Sequence, residues 1–196
     1  MFTGIIENTA ELVEKTEYLS NVSFKFKSKL ASELKVDQSL SHDGVCLTVE
    51  KIWSEDQTYQ VTAIQETLTK TNLGELEIHD LVNLERCMKA DGRFDGHIVQ
   101  GHVDLTGICE DVLETGGSWK IYIKYDSKSG NITVSKGSIC LNGISLTVVN
   151  SETGLFSVSI IPYTWENTNL RYLKKGDKVN LEFDIIGKYV ARLLKS

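Results

Sequence analysis

The chain has 196 residues, enough for one large domain or two small ones. Its hydrophobic content of 41% and charged content of 24% are typical of a globular protein. The formal net charge of −6 argues against a nucleic-acid or anionic-membrane partner, since phosphate-rich surfaces require a basic face. No apolar run approaches the roughly 20 residues needed to cross a bilayer. The first seven residues lack the pattern of a signal peptide, so we expect a cytoplasmic protein.

The first predicted elements are short strands, turns and one short helix. Residues 22–26 alternate apolar and polar side chains, as half-buried strands do. Residues 28–34 are predicted to form a short helix capped by Ser28. Asp43 and Gly44 form a turn dipeptide between apolar runs, which is the strongest short signal for a β-hairpin.

The second part of the chain repeats these signals and ends differently. Residues 119–125 and 156–160 alternate as strands do, and Asn142 with Gly143 predicts a second hairpin. Pro162, the one proline, is expected at a strand end, where its missing N–H is tolerated. Apolar residues within 185–194 recur at helical spacing. Such a helix could close a barrel or join copies of the chain, and we favour the second, because its apolar stripe is broad and terminal.

The most informative pattern is an internal repeat. Residues 39–49 return as 138–148 at an offset of 99 positions, and residues 80–85 return as 177–182 at an offset of 97. Shorter matches link residues 66–67 with 163–164, 71–73 with 168–170, and Gly4 and Thr9 with Gly101 and Thr106. Order, spacing and residue type are all kept, so the chain is a duplicated domain; two copies are too few for a solenoid.

The duplication sets the predicted domain boundaries. The Gly- and Asp-rich stretch 91–96 separates the two copies. We predict a first β-barrel over residues 1–96, a second over 97–183, and an oligomerisation helix over 184–196. Many short strands with frequent turns favour small closed barrels and a mainly β fold.

The four cysteines give no sign of a metal site. Cys46, Cys87, Cys109 and Cys140 form no CxxC pair and have no zinc-ligand spacing with the histidines. We expect free thiols, as in other proteins of a reducing compartment. Cys87 and Cys109 are expected to be small buried residues.

Several segments together resemble one family. Residues 1–7, 44–49, 96–104 and 142–148, with Lys188-Tyr189-Val190 near the end, resemble riboflavin synthase over the whole chain. The resemblance implies two tandem six-stranded Greek-key barrels. It also implies a dismutation without a bound cofactor, in which one 6,7-dimethyl-8-ribityllumazine donates a four-carbon unit to a second. The products would be riboflavin and 5-amino-6-(D-ribitylamino)uracil.

The resemblance also implies an assembly and a set of substrate contacts. The subunits would form a homotrimer through the C-terminal helix, with each site between the first barrel of one subunit and the second barrel of its neighbour. The resemblance also suggests an association with lumazine synthase. In one half the contacts would be Gly4, Ile5, Ile6, Cys46, Leu47, Thr48, Thr62, Ala63, Ile64, Gln65, Glu66 and Thr67. In the other half they would be Gly101, His102, Val103, Lys136, Ser145, Leu146, Thr147, Ser159, Ile160, Ile161, Pro162, Tyr163 and Thr164.

The residue types suit a neutral or weakly anionic ring that carries a polyhydroxyl chain. Such a ligand needs hydroxyls and backbone groups rather than full charges. Ser39 and Thr48 in the first half and Ser138 and Thr147 in the second supply hydroxyls at matching positions. Each serine or threonine also has a simpler explanation in strand propensity or turn chemistry.

The positions where the two halves differ are the best candidates for chemistry. Cys46 matches Ser145 in the repeat, and Ile5 matches His102, which suggests donor and acceptor roles. His102 could be a general acid or base, or a hydrogen-bonded structural histidine. Cys46 could orient or deliver a nucleophile, and Ser145 is its counterpart. Asp184 matches an acidic residue of the family site, or it caps the last helix. His97 and His102 are not expected to bind metal, because no third ligand is nearby.

One departure and two alternatives remain. The family usually carries Asp at the second hairpin turn, where this chain has Asn142; Asp43 stands in the first. Our hypothesis is that Asn142 tunes the reaction rather than enabling it. The main alternative function is a lumazine or flavin carrier on the same fold. A flavin-binding barrel of a redox enzyme would need a nicotinamide-binding Gly-rich fingerprint after a strand, and none is present.

Overall fold

The computed structural model describes residues 1–194 and contains two closed antiparallel β-barrels. The first barrel is formed by β1 (Asn8–Tyr18), β2 (Asn21–Lys27), β3 (Ser39–His42), β4 (Val45–Trp53), β5 (Thr58–Ala63) and β6 (Leu81–Arg86). Their order around the barrel is β1-β2-β5-β4-β3-β6. A short helix, α1 (Gln65–Lys70), leaves the end of β5.

The second barrel repeats this path. Its strands are β7 (Leu105–Thr115), β8 (Ser118–Lys124), β9 (Ser138–Leu141), β10 (Ile144–Glu152), β11 (Leu155–Ile160) and β12 (Lys178–Phe183), in the order β7-β8-β11-β10-β9-β12. The helix α2 (Pro162–Asn167) follows β11, and α3 (Ile185–Leu194) follows β12. The predicted mainly β fold of two six-stranded barrels and a terminal helix is confirmed.

Both barrel interiors are packed with side chains. Phe24, Phe26 and Tyr59 are fully buried in the first, and Phe156 is 1% exposed in the second. His42 is also buried in the first barrel, where its Nε2 lies 2.9 Å from the Tyr59 hydroxyl oxygen. Burial lowers the pKa of His42 from 6.5 to about 3. Large buried side chains therefore occupy both barrel interiors.

Most predicted elements have the expected positions. The two hairpin turns lie between β3 and β4 and between β9 and β10, with positive φ at Asp43 and Asn142. Ser28 caps a 3₁₀ helix over Lys29–Glu33, accepting from the Leu30 N–H at 3.3 Å. The last helix spans 185–194, as the apolar stripe predicts.

Some details were wrong. Pro162 does not lie at a strand end: β11 ends at Ile160, and Pro162 is the first residue of α2, where a missing N–H is harmless. Cys109 is buried as expected, but Cys87 is exposed, since it lies just beyond the end of β6. All four cysteines are free thiols. Over residues 1–194, no helix is long and apolar enough to span a membrane.

The barrels pack against each other through matching contacts related by a pseudo-twofold axis. The Asn83 N–H donates to Asp43 Oδ1 (2.8 Å), and its Nδ2 donates to the Asn142 carbonyl oxygen (2.9 Å). Asn180 makes the equivalent contacts from the second barrel: its N–H donates to Asn142 Oδ1 (2.8 Å), and its Nδ2 donates to the Asp43 carbonyl oxygen (3.0 Å). Each hairpin turn is therefore held by both barrels.

Candidate active site

Two extended segments cross between the barrels, and we call them straps. The N-terminal strap is residues 2–6, and the linker strap is residues 99–103. They pair with each other through Phe2 and Val99, whose N–H groups each donate to the other's carbonyl oxygen at 2.8 and 3.1 Å. Each strap then lies against the hairpin of the barrel to which it does not belong in sequence.

Hydrogen bonds and packing show that each strap contacts the opposite barrel, an arrangement that we call the exchange of straps. The Cys46 N–H on β4 donates to the Gly101 carbonyl oxygen (2.9 Å), and the Ser145 N–H on β10 donates to the Gly4 carbonyl oxygen (2.8 Å). Val103 packs against the first core and Ile6 against the second. Halves of the sequence and barrels therefore do not coincide: Gly101, His102 and Val103 lie at the first barrel, and Gly4, Ile5 and Ile6 lie at the second.

Glycine is required where the straps meet the strands. Gly4 and Gly101 have φ of +79° and +81°. A Cβ on Gly101 would lie 2.6 Å from Cys46 Cβ, and one on Gly4 would lie 2.5 Å from the Ser145 backbone nitrogen. These short separations place His102 and Ile5, the next residues, directly beside the hairpin strands.

Most of the predicted contact residues lie in one outer patch on each barrel, but Leu47, Ala63 and Ile160 are buried in the barrel cores. At the first barrel, Ser39 pairs with Thr48 across β3 and β4, and the patch continues through Thr62 on β5 to Ile64, the residue before α1. At the second, β10 carries Ser145, Leu146 and Thr147, β11 carries Ser159, and Ile161 precedes α2. Gln65, Glu66 and Thr67 lie in α1, Pro162, Tyr163 and Thr164 lie in α2, and Lys136 is an exposed residue before β9.

Exposure divides the patch residues. Thr48, Thr147 and Ser159 are exposed, and Ser39 and Thr62 are half-buried. The Thr62 hydroxyl donates to Glu50 Oε2 at 3.0 Å, so it already has an acceptor on the first barrel. Both patches therefore include hydroxyl groups that are exposed to solvent in a single subunit.

The thiol of Cys46 is held in its neutral form. Burial is the main cause that raises its pKa, and the hydrogen bond with Ser39 only partly opposes this. A raised pKa leaves little thiolate at neutral pH, so this geometry favours an orienting or proton-donating thiol over an anionic nucleophile.

His97, rather than His102, is the histidine in contact with Ser145. His97 Nδ1 lies 2.7 Å from Ser145 Oγ. Burial lowers the pKa of His97, and the nearby charge of Asp184 partly raises it. A neutral imidazole on a serine hydroxyl can act as a general base. The first half has no matching histidine–serine pair, since Cys46 stands at the position of Ser145.

The other two predicted catalytic residues differ in environment. Asp184 Oδ1 accepts from the Ile186 N–H at 3.0 Å and so caps α3, while its charge also acts on His97. His102 is exposed beside Cys46, whose N–H contacts the preceding residue. The structure therefore places Cys46 with His102 at the first patch, and Ser145 with His97 and Asp184 at the second.

We expect His97→Gln to lower kcat by about 10- to 100-fold, because glutamine retains a hydrogen bond to Ser145 but cannot take its proton. The lowered pKa of His97 means that the wild-type rate rises as pH increases through a value below 6.5, where the imidazole becomes neutral. The variant should lose this limb of the kcat profile. A profile that keeps the limb would assign it to another group.

Asn142 is not a residue of either patch. It is 5% exposed in the interface turn, and its side-chain oxygen accepts from Asn180. Our hypothesis that Asn142 tunes the reaction rather than enabling it stays a prediction, and this side chain is engaged at the interface between the barrels. The cleft between the barrels, with a volume of about 760 Å³, is lined by Asp43 and Asn142 but by none of the predicted contact residues.

Comparisons with known proteins agree with this geometry. The lumazine binding domain family matches the chain twice, over residues 3–87 and 100–184. The riboflavin synthase of Actinobacillus pleuropneumoniae is 42% identical, with 99% of this chain and 90% of that protein covered. The riboflavin synthase of Bacillus subtilis (strain 168) is 37% identical with the same coverage of 99% and 90%.

Solved structures share the fold. LumP complexed with 6,7-dimethyl-8-(1'-D-ribityl) lumazine has a TM-score of 0.84 and 21% identity, covering 93% of this chain and 98% of that one. LumP complexed with riboflavin gives 0.85 and 22%, covering 93% and 99%. At this identity the likeness shows the fold alone. With the full-length relatives and the two domain matches, the chain belongs to the riboflavin synthase family.

Proposed function

We propose that the chain catalyses the dismutation of two 6,7-dimethyl-8-ribityllumazine molecules into riboflavin and 5-amino-6-(D-ribitylamino)uracil, as a four-carbon transferase. The observation that carries the proposal is the pair of equivalent outer patches with unlike chemical groups. One patch presents Cys46 and His102, and the other presents Ser145 with His97. A reaction that uses two copies of one substrate in different roles needs this combination of similar shape and different chemistry.

The assembly is part of the same proposal. Each patch is open on one side, and α3 exposes apolar side chains, including Ile186 (65% exposed) and Val190 (50%). We propose a homotrimer joined through α3, in which the first patch of one subunit faces the second patch of its neighbour. The proposal includes the division into residues 1–96, 97–183 and 184–196, a cytoplasmic location, and association with lumazine synthase.

The proposed mechanism assigns one role to each patch. The acceptor lumazine loses a C7 methyl proton, and a nucleophile adds at C7 of the donor. Two carbon–carbon bonds then form between the stacked rings, the donor's C6–N5 and C7–N8 bonds break, and the nucleophile leaves again. The His97–Ser145 pair can take a proton or activate the attacking group, and Cys46 with His102 can return protons to leaving nitrogen atoms. Holding the rings face to face supplies roughly 7–11 kcal/mol of the barrier reduction.

A direct assay tests the function. The purified protein is incubated with 6,7-dimethyl-8-ribityllumazine alone, and loss of lumazine and formation of riboflavin are followed by absorbance. We expect one riboflavin for two lumazines consumed. Tight binding without turnover would instead support a carrier on the same fold, and absence of both would reject the whole proposal.

A further inference from the structure

Two buried carboxylates hold the straps without reaching the outer patches. Glu85 on β6 is 4% exposed, and Glu182 at the equivalent position on β12 is 3% exposed. Burying a carboxylate is costly unless donors surround it. Here the donors are mainly backbone N–H groups of a strap.

Each carboxylate binds one strap. Glu182 accepts from the N–H groups of Gln100 (2.6 Å), Gly101 (2.9 Å) and His102 (2.8 Å). Glu85 accepts from the Thr3 N–H (2.7 Å), the Thr3 hydroxyl (2.8 Å) and the Gly4 N–H (2.9 Å). Burial raises the pKa of the Glu85 carboxyl, and its hydrogen bonds from Thr3 and Gly4 oppose that shift.

We call each carboxylate, with the strap N–H groups that it accepts from, a clamp. The two clamps differ in which side chain they position. Three successive N–H groups that converge on Glu182 fix the peptide planes on the N-terminal side of His102, and hence the direction in which its side chain leaves the backbone. On the other side of this strap, the Cys46 N–H donates a hydrogen bond to the Gly101 carbonyl oxygen. The Glu85 clamp places Ile5, which has no group that titrates.

We propose that Glu182 is a positioning residue that aims His102 at the first patch, and that Glu85 is its counterpart, which aims Ile5 at the second. The kinetic consequence rests on the proposed function, whereas the clamp itself does not. In Glu182→Gln an amide NH₂ replaces one acceptor oxygen and faces a backbone N–H, so the strap shifts.

A misplacement of about 1 Å costs on the order of 100-fold in rate. We therefore expect Glu182→Gln to lower kcat by about 10- to 100-fold with a small change in KM. Glu85→Gln should chiefly raise KM, because Ile5 supplies contact but no proton transfer. The two variants remove the same chemical group from equivalent positions, so each is the matched control for the other.

A double-mutant cycle separates positioning from general damage. If Glu182 acts through His102, then Glu182→Gln adds little to the kcat loss of His102→Gln. Glu85→Gln should raise KM by the same factor in the wild-type and His102→Gln backgrounds. Multiplicative losses for Glu182→Gln and His102→Gln would overturn the proposal. Glu182→Asp, which keeps the charge on a side chain one methylene shorter, should recover part of kcat and serves if the glutamine variant does not fold.

Amide hydrogen exchange tests the clamps without using activity. In Glu182→Gln we expect the amides of residues 100–102 to exchange at least about 10-fold faster, while those of Thr3 and Gly4 stay unchanged. Glu85→Gln should give the reverse pattern. Unchanged rates, or equal loosening of both straps, would reject the clamps. If the wild-type chain makes no riboflavin, the proposed function is rejected. The hydrogen-exchange rates would still test whether Glu182 and Glu85 hold the straps.

Discussion

Replacing Ile186 and Val190 together by Glu is expected to lower riboflavin formation by at least about 100-fold, because it would separate the subunits of the proposed homotrimer. The two residues are four positions apart and share the apolar stripe of α3. A charged stripe cannot be buried against a second copy of the helix without a large penalty. Each isolated subunit then keeps two open patches with nothing to close them, so the two rings are no longer held together.

The measurement combines sedimentation velocity with the riboflavin assay on the same samples. The helix itself should persist, because Asp184 caps it and Lys188 Nζ lies 2.7 Å from Asp104 Oδ2 of the second barrel. Arg192→Glu, on the side of α3 that carries Lys188, is the control and should keep both mass and rate. Full activity in a monomeric double variant would refute a site shared between subunits.

The second large effect is on stability, at the turn of the first barrel. Burial raises the pKa of Asp43 from 3.8 to about 7, against the hydrogen bonds from Asn83 and Asn169. Below pH 3.8 both the folded and unfolded chains carry the proton. Between pH 3.8 and about 7, the unfolded chain has lost this proton and the folded chain has kept it. The free energy of unfolding therefore falls as pH rises through this range and levels off above about pH 7.

Asp43→Asn should therefore stabilise the protein at pH 8 by about 1–4 kcal/mol and change little at pH 4. An asparagine oxygen can still accept from the Asn83 N–H and from Asn169 Nδ2, which lie 2.8 and 2.9 Å from Asp43 Oδ1. Denaturant unfolding across this pH range measures the difference. A constant difference between pH 4 and 8 would show that the charge is not its cause.

The reciprocal substitution is the matched control. Asn142 occupies the equivalent turn and shows that an amide fits there. Asn142→Asp should destabilise the chain with the same pH dependence, whereas its effect on turnover at pH 7 should be no more than the accompanying loss of stability. A gain of several orders of magnitude in turnover would contradict our hypothesis that Asn142 tunes the reaction rather than enabling it.

Much of the fold is predictable, because its signals are local. The alternation in 22–26 and the Asp43-Gly44 dipeptide specify a strand and a hairpin from a few neighbouring residues, and the repeat doubles each signal. Helices α1 and α2 were not predicted, because six residues are too few to display a helical period.

The site is less predictable, because its contacts are not local. His97 and Ser145 are 48 positions apart, and neither neighbourhood indicates the other. The exchange of straps is set by packing between barrels, which leaves no periodic trace in residues 2–6 or 99–103. The one available sign was the duplication itself: His102 stands where the first half has Ile5, and Ser145 stands where it has Cys46.

The pseudo-twofold interface has a consequence for how the two halves can diverge. Reciprocal straps and paired turns are the geometry of an isologous dimer, in which every substitution occurs twice. Joining the halves in one chain removes that constraint, because each codon now specifies one side only. Asp43 can differ from Asn142, Cys46 from Ser145 and Ile5 from His102 without disturbing the shared frame. Two identical molecules can then meet non-identical surroundings, which a strictly symmetric dimer could not offer them.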